Sequence, residues 1–329
     1  MKTFRAGISV ISVISVFSVA FILFFTTTAA AQGYPSRPIR IIGLSSPGSG
    51  PDIVGRLIGQ KFTEAWGQQV IVDMRPAATG IVGTEIAARS APDGYTLVII
   101  TSQAVIVSVM YDKLNYNLNR DFTPVGLIAS TPFILAVNLS VPATSVKELI
   151  ALAKSKPGQL RYGSGGSGSP PHLSAEIFRS MTGIDVLHVP YKGVTPAMVD
   201  TVSGQVQFVI SVIPAVLPTI RSGKLRALGI TSAKRSTLAP DLPTIAETVP
   251  GYEFIGWYSL MAPAKTPQAI VAKLNQELVK VLKTPEFQER LSALGAEPMS
   301  STPKEMGAYL VAQQEKMRKA VKEAGVHPD

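Results

Sequence analysis

Two glycine- and serine-rich loops carry the residues best placed to do chemistry. The first is Ser45-Ser46-Pro47-Gly48-Ser49-Gly50-Pro51-Asp52, and the second is Gly163-Ser164-Gly165-Gly166-Ser167-Gly168-Ser169-Pro170-Pro171-His172. Each lies between an apolar, strand-like run and a helical pattern. Glycine lets backbone approach a ligand closely, amides at the following helix start favour an anion, and serine hydroxyls add donors. One such loop reads as a tight strand-to-helix turn. Two, in separate parts of the chain, point to a carboxylate or phosphate held with no obligatory arginine.

Other chemistries find weaker support. Gly163, Gly165 and Gly168 fit a G-x-G-x-x-G dinucleotide pattern, with Asp185 as the following acid. That acid belongs at the carboxyl end of the next strand, yet Asp185 precedes the run Val186 to Val189, and Pro170-Pro171 interrupts the helix start. The G-x-S-x-G nucleophile elbow fails at both loops, because Ser169 stands where Ser167 needs its second glycine, and Pro47 and Pro51 occupy both glycine positions around Ser49. An exported α/β hydrolase using Ser167 or Ser169 with His172 is the rival reading. Gly223-Lys224 is followed by Leu225, which breaks the ATP-binding P-loop pattern. The chain has no cysteine and three histidines, His172, His188 and His327, so thiolate and histidine-rich metal centres are not expected. His172 near a helix start and His188 inside an apolar strand read as structural.

The elements that must position these loops alternate between strand and helix. Ile39 to Ile42 reads as a strand and Ile53 to Trp66 as a helix stopped by Gly67. Val70 to Val72 is strand-like, Gly83 to Arg89 helical, and Tyr95 to Thr101 a buried strand after the Pro92-Asp93-Gly94 turn. Val125 to Ile128 and Phe133 to Val137 read as two strands parted by Ser130-Thr131-Pro132. A second series follows. It has a helix capped by Ser145 and Glu148, strands at Leu160 to Tyr162, Val186 to Val189, Val206 to Ser211 and Leu225 to Thr231, and helices at Leu173 to Met181 and Pro196 to Val202. Three C-terminal helices each open on Thr-Pro, at Thr266, Thr284 and Thr302, with threonine expected as the cap. Alternation of this kind predicts parallel-rich α/β layers in two lobes, with ligand at the carboxyl ends of the strands.

Composition agrees. The 329 residues allow about two domains at roughly 100–200 residues each. With 46% hydrophobic residues the chain can build real cores. Lys2 and Arg5, the apolar stretch Ile8 to Phe25 and Ala29-Ala30-Ala31 form a secretory signal peptide, with cleavage expected after Ala31; the alternative is an uncleaved anchor. Lys2 and Arg5 supply two of the net nine positive charges, so the exported part keeps +7. These charges are interspersed with acids, without the basic run that nucleic-acid binding needs.

The residues then take on a family look. Tyr34-Pro35-Ser36-Arg37-Pro38-Ile39-Arg40, the loop Ser46 to Asp52, Ala91-Pro92-Asp93-Gly94-Tyr95-Thr96-Leu97 and His188-Val189-Pro190-Tyr191-Lys192-Gly193 resemble the tripartite tricarboxylate transporter solute receptors, the Bug family. So do Gly223 to Leu228, Pro240 to Thr244 and Ala262 to Pro267, in family order over nearly the whole exported chain. The resemblance implies an α/β, two-lobed periplasmic-binding-protein-like fold, each lobe a mixed sheet flanked by helices around a cleft. Lobe 1 would comprise residues 32–130 plus 256–329, and lobe 2 residues 131–255, with crossings near Ser130 to Phe133 and Tyr252 to Gly256.

It also implies a periplasmic, monomeric, non-enzymatic protein that binds a small organic acid and delivers it to a membrane permease, without cofactor or metal. A receptor used in signalling would look the same. Ligand-binding roles transfer to Ser46, Gly48, Ser49 and Asp52, with Asp52 ordering its loop, and to Ser164, Gly165, Ser167, Ser169 and His172. Tyr191, Ser211, Thr79 and Ser102 complete the set. The sequence departs from the family where Met74-Arg75-Pro76-Ala77-Ala78-Thr79-Gly80 replaces a glycine-richer N-R-P-G-A-G-G loop. Losing glycine restricts left-handed backbone, which predicts a differently shaped loop. Arg75 reads as half of a surface ion pair rather than a ligand contact.

Overall fold

The computed structural model describes residues 33–326. The expected signal peptide and cleavage site, and His327, lie outside the described residues. No helix among the described residues is long and apolar enough to cross a membrane.

The first α/β series contains strands β1 (Ile39–Gly43), β2 (Val70–Met74) and β3 (Thr96–Thr101), and helices α1 (Gly50–Trp66), α2 (Ile81–Ala88) and α3 (Ser102–Met110). β2, β1 and β3 pair in parallel, in that order. Strand β3 is buried on both faces: Leu97 and Ile99 join one core cluster, Val98 and Ile100 another. That follows from side chains alternating across a strand covered by helices on both sides.

Strand β4 (Phe122–Asn138) is a single strand of 17 residues, not the two predicted. Its first part pairs antiparallel with β9 (Ile255–Pro263), up to the partners Pro132 and Ile255. From Phe133 onward it pairs with β7 (Phe208–Val212) and β8 (Leu225–Ile230). Proline lacks the amide a ladder needs, and Pro132 falls where the strand changes neighbours. The sequence suggests a break there, but burial and pairing on either side carry the strand through.

The second series contains β5 (Arg161–Ser164), β6 (Leu187–Pro190), α4 (Val146–Ser155), α5 (Pro170–Thr182), α6 (Val194–Ser203) and α7 (Ile213–Arg221). β5 pairs in parallel with β6 and with β7. Helices α3 and α7 and strand β9 are elements the sequence reading did not assign. Pro170 and Pro171 open α5 rather than interrupt it, because the first helical positions need no amide. Asp185 sits beside Gly158, at the start of β5 and away from the glycine-rich loop at its end, as the dinucleotide argument required.

The C-terminal helices are α8 (Gln268–Leu282), α9 (Pro285–Ala293) and α10 (Pro303–Ala324), with the short β10 (Glu297–Pro298) pairing onto β4. Only Thr302 of the three threonines caps as predicted, forming a capping box with Glu305. The Thr266 and Thr284 hydroxyls instead donate to the carbonyls of Pro263 and Val281, both at 2.8 Å. Helix α10 ties distant parts of the chain together. Gln314 Oε1 accepts from Asn119 at 2.7 Å, Glu323 accepts from Ser180 on α5 at 3.0 Å, and Lys316 reaches Glu253 at 3.4 Å. Met306, Leu310, Met317 and Val321 on α10 join the core cluster that holds residues of β3, β4, β5 and β7.

Candidate ligand-binding site

The strands β1, β3, β5, β6 and β7 all lead at their carboxyl ends into helix N-termini, at Gly50, Ser102, Pro170, Val194 and Ile213. In the first loop Asp52 does the ordering expected of it. Its Oδ2 accepts the Gly48 amide at 2.8 Å, and Arg56 Nε lies 2.9 Å from Oδ1, close enough for an ion pair without hydrogen-bond alignment. The Gly48 amide is therefore committed within the protein rather than free for a ligand. The donors left over lie next to it. The amides of Gly50 and Asp52 have no acceptor among the described residues, and the Ser49 hydroxyl is buried without a partner. Ser46 is exposed at the rim.

The second loop is braced from below by its two histidines. His172 Nδ1 accepts the Gly168 amide at 3.0 Å, and His188 Nε2 lies 2.7 Å from the Ser164 hydroxyl. Ser164 Oγ in turn accepts the Gly166 amide at 3.1 Å, while the Ser169 hydroxyl donates to the Gly166 carbonyl at 2.7 Å. The imidazoles stack at 3.8 Å and 9°, and His188 stacks on Tyr162 at 4.9 Å. Burial pushes both down to about 4, with Arg179 adding to the effect on His172 and His172 adding to that on His188. Ser164, Ser169 and the His172 Nδ1 thus serve the loop's own shape. The proline pair strips α5 of two further donors, leaving the amides of Gly165, Ser167 and His172 without acceptors, together with the exposed Ser167 hydroxyl.

The remaining predicted residues separate by role. The Tyr191 hydroxyl is occupied, donating to Asp200 at 2.6 Å, while its ring lies against Gly163. Ser211, near the end of β7, is fully buried and its hydroxyl has no partner. Ser102 opens α3 as a buried residue at the end of β3. Arg75 pairs with Asp73 at 3.0 Å, the surface ion pair expected. The Ala77 to Gly80 turn packs against α3 and Leu44, and it holds left-handed backbone despite the missing glycines. Ala78 and Thr79 adopt φ of 50° and 53°, the left-handed backbone that glycine would supply without strain.

One site residue escaped the sequence reading. Tyr258 on β9 stands opposite Thr101, and a Cβ at Gly50 would lie 2.8 Å from its hydroxyl. Burial pushes that hydroxyl up to about 12, partly offset by hydrogen bonding with Thr131 on β4, so it stays a donor. Only the unassigned strand β9 brings Tyr258 to the first loop. The two sets of loop residues also meet indirectly, because Met110 at the end of α3 lies against Gly168.

The geometry offers donors in both α/β series and no reacting pair. Neither Ser167 nor Ser169 bonds an imidazole, and in the part-buried Ser164–His188 contact the serine itself is only 1% exposed and its oxygen accepts the Gly166 amide. Among the described residues no group of three or more histidines and acids is arranged to hold a metal. A family model described as the tripartite tricarboxylate transporter family receptor matches residues 54–326. The chain belongs to that receptor family. Its members are solute-binding receptors of the periplasm, not enzymes, which sets the hydrolase reading aside.

Protein BugT of Bordetella pertussis is 36% identical over 302 residues, covering 90% of this chain and 92% of BugT. Among solved structures, an R. palustris protein with adipate is 36% identical with a TM-score of 0.76, over 90% of this chain and 100% of that one. MatC from Rhodopseudomonas palustris with bound malate is 28% identical with a TM-score of 0.71, over 88% and 100%. These similarities establish a mixed α/β fold, a curled sheet with flanking helices, that matches periplasmic binding protein structures.

Proposed function

We propose that this receptor captures a small organic acid in a cleft between two lobes and hands it to a membrane permease of the tripartite tricarboxylate type. The lobes are residues 32–130 with 256–329, and residues 131–255. The change of partners along β4 at Pro132–Phe133 supports that division. The signal peptide is cleaved after Ala31, and the exported receptor works as a monomer.

The observation that carries the reading is a pair of buried hydroxyls without partners, Ser49 in one series and Ser211 in the other. An unsatisfied buried hydroxyl costs about 1–3 kcal/mol, and a ligand carboxylate would recover that cost. Around Ser49 the ligand meets Ser46, the Gly50 and Asp52 amides, Ser102, Thr79 and the Tyr258 hydroxyl. From the other lobe it meets Gly165, Ser167 and Ser211, with the Tyr191 ring closing over it. Gly48, Ser164, Ser169 and His172 hold these donors in place. Adipate and malate in solved relatives support a carboxylate as the ligand. Contacts to both lobes favour the closed state by their differential affinity.

A thermal-shift screen of the protein from Gln32 onward tests this, using adipate, malate, tricarboxylates, acidic amino acids and aromatic acids. A ligand at 100 times its dissociation constant should stabilise by about 2.7 kcal/mol. Hits confined to neutral solutes would overturn the carboxylate assignment.

A further inference from the structure

We propose that His172 and His188 act as one positioning unit for the second loop, holding it in shape as a neutral stacked pair and releasing it when the pair takes up a proton. The inference rests on the reading that this loop contacts the ligand. The two histidines come from different elements, α5 and β6, and each fixes a different point of the loop. His172 accepts the Gly168 amide, so its Nδ1 is unprotonated and its Nε2 carries the hydrogen. His188 meets Ser164, which anchors Gly166, whose carbonyl takes the Ser169 hydroxyl and amide. These bonds leave the Gly165 and Ser167 amides as the loop's unclaimed donors.

Protonation of His172 is incompatible with this arrangement. A hydrogen on His172 Nδ1 would face the Gly168 N–H, turning donor against donor. Gly168 is held at φ 71° with Met110 packed against it, so it has little room to turn away. A charge on one ring also opposes a charge on the other at a stacking distance of 3.8 Å.

The groups around the pair do not compensate. From α5, Glu176 is engaged by Arg179 at 2.6 Å and by the Tyr162 hydroxyl at 2.5 Å, which leaves it only a weak pull on His188. Arg179 opposes a charge on His172. From β5, Tyr162 stacks on His188, and burial and its bond to Glu176 hold its hydroxyl protonated. Phe208 on β7, behind Tyr162, is apolar. Asp185 acts on Arg179 rather than on either imidazole.

The test follows ring and amide resonances of the unliganded, isotope-labelled protein by NMR between pH 7.5 and 3.5, with circular dichroism recording the fold. The expected result is neutral rings at pH 7, His172 bare at Nδ1, and midpoints near 4 for both. The Gly166 and Gly168 amides should move with those midpoints while the circular dichroism is unchanged. A His172 midpoint near 6.5, or a Gly168 amide indifferent to it, overturns the proposal.

A second arm measures adipate affinity in the wild type and in His172→Asn/His188→Gln. Asn keeps an acceptor at the Nδ1 position and Gln a polar atom at the Nε2 position, and neither titrates. The ratio of variant to wild-type affinity should rise about threefold from pH 7 to 4, where half or more of the pair is protonated, the ligand's own titration cancelling. A flat ratio in a variant that binds at pH 7 also overturns the proposal. If adipate binds neither protein at pH 7, the carboxylate reading is at fault and the resonances alone decide.

Discussion

Ser49 and Ser211 separate binding from stability at the level of single residues. Each hydroxyl is buried without a protein partner, so removing it breaks no bond of the unliganded fold. Ser49→Ala and Ser211→Ala should leave the unliganded melting temperature unchanged or slightly raised. Ligand affinity should fall by about 0.5–1.5 kcal/mol each, and by about 1.5–3 kcal/mol where the lost bond was to a charged carboxylate. Calorimetric titration beside thermal melts checks both halves; lost stability with retained affinity would contradict the site. The histidines make a separate, pH-linked contribution. Between the ordinary value of 6.5 and the folded value of about 4, the unfolded chain binds protons the native state refuses. Stability should therefore rise with pH across that window and contribute no slope above it. Urea midpoints of wild type and His172→Asn/His188→Gln, measured from pH 4 to 7, should converge in slope only above the window.

Turns and caps are where individual elements gain or lose stability. Ala78 and Thr79 hold left-handed backbone that costs a side chain about 1–2 kcal/mol, more awkwardly for the branched threonine. Thr79→Gly should stabilise the protein by about 0.5–1 kcal/mol, since glycine's greater freedom when unfolded takes back part of the gain. No rise in the denaturation midpoint would mean the turn relaxes in solution. The capping threonines are unequal in a way their shared Thr-Pro spelling hides. Thr302→Ala loses a reciprocal capping box and should cost about 1 kcal/mol. Thr284→Ala loses only a bond to the preceding turn and should cost less, which paired chemical denaturation would show.

Over the whole molecule the two α/β series share structural elements. Strand β4 runs through both, and α10 bonds to Asn119 before it and to Ser180 and Glu253 after it. A single core cluster along α10 includes residues of both series. In the proposed function these shared elements are the hinge, and its two faces close on a ligand touching both. Small-angle scattering should record a smaller radius of gyration with saturating ligand than without. An unchanged radius beside proven binding would mean the lobes are already closed when empty.

Much of this was legible in the sequence because it is local. Strand and helix follow from the spacing of apolar residues, Gly67 and Gly183 stop helices by left-handed backbone, and the family motifs lie in order along the chain. The two loops, the ordering role of Asp52 and the surface pairing of Arg75 were readable for the same reason. What only the tertiary structure decided concerns partners far apart in sequence. Pairing carries β4 through Pro132, which local preference marks as a break. β9 brings Tyr258 to Gly50, and stacking joins His172 to His188. Which hydroxyls are spent on the protein and which are left for a ligand is a matter of three-dimensional neighbours. Residue type alone gives Ser164, Ser169, Ser49 and Ser211 the same donor, and only packing determines that the first two are bonded and the last two are not.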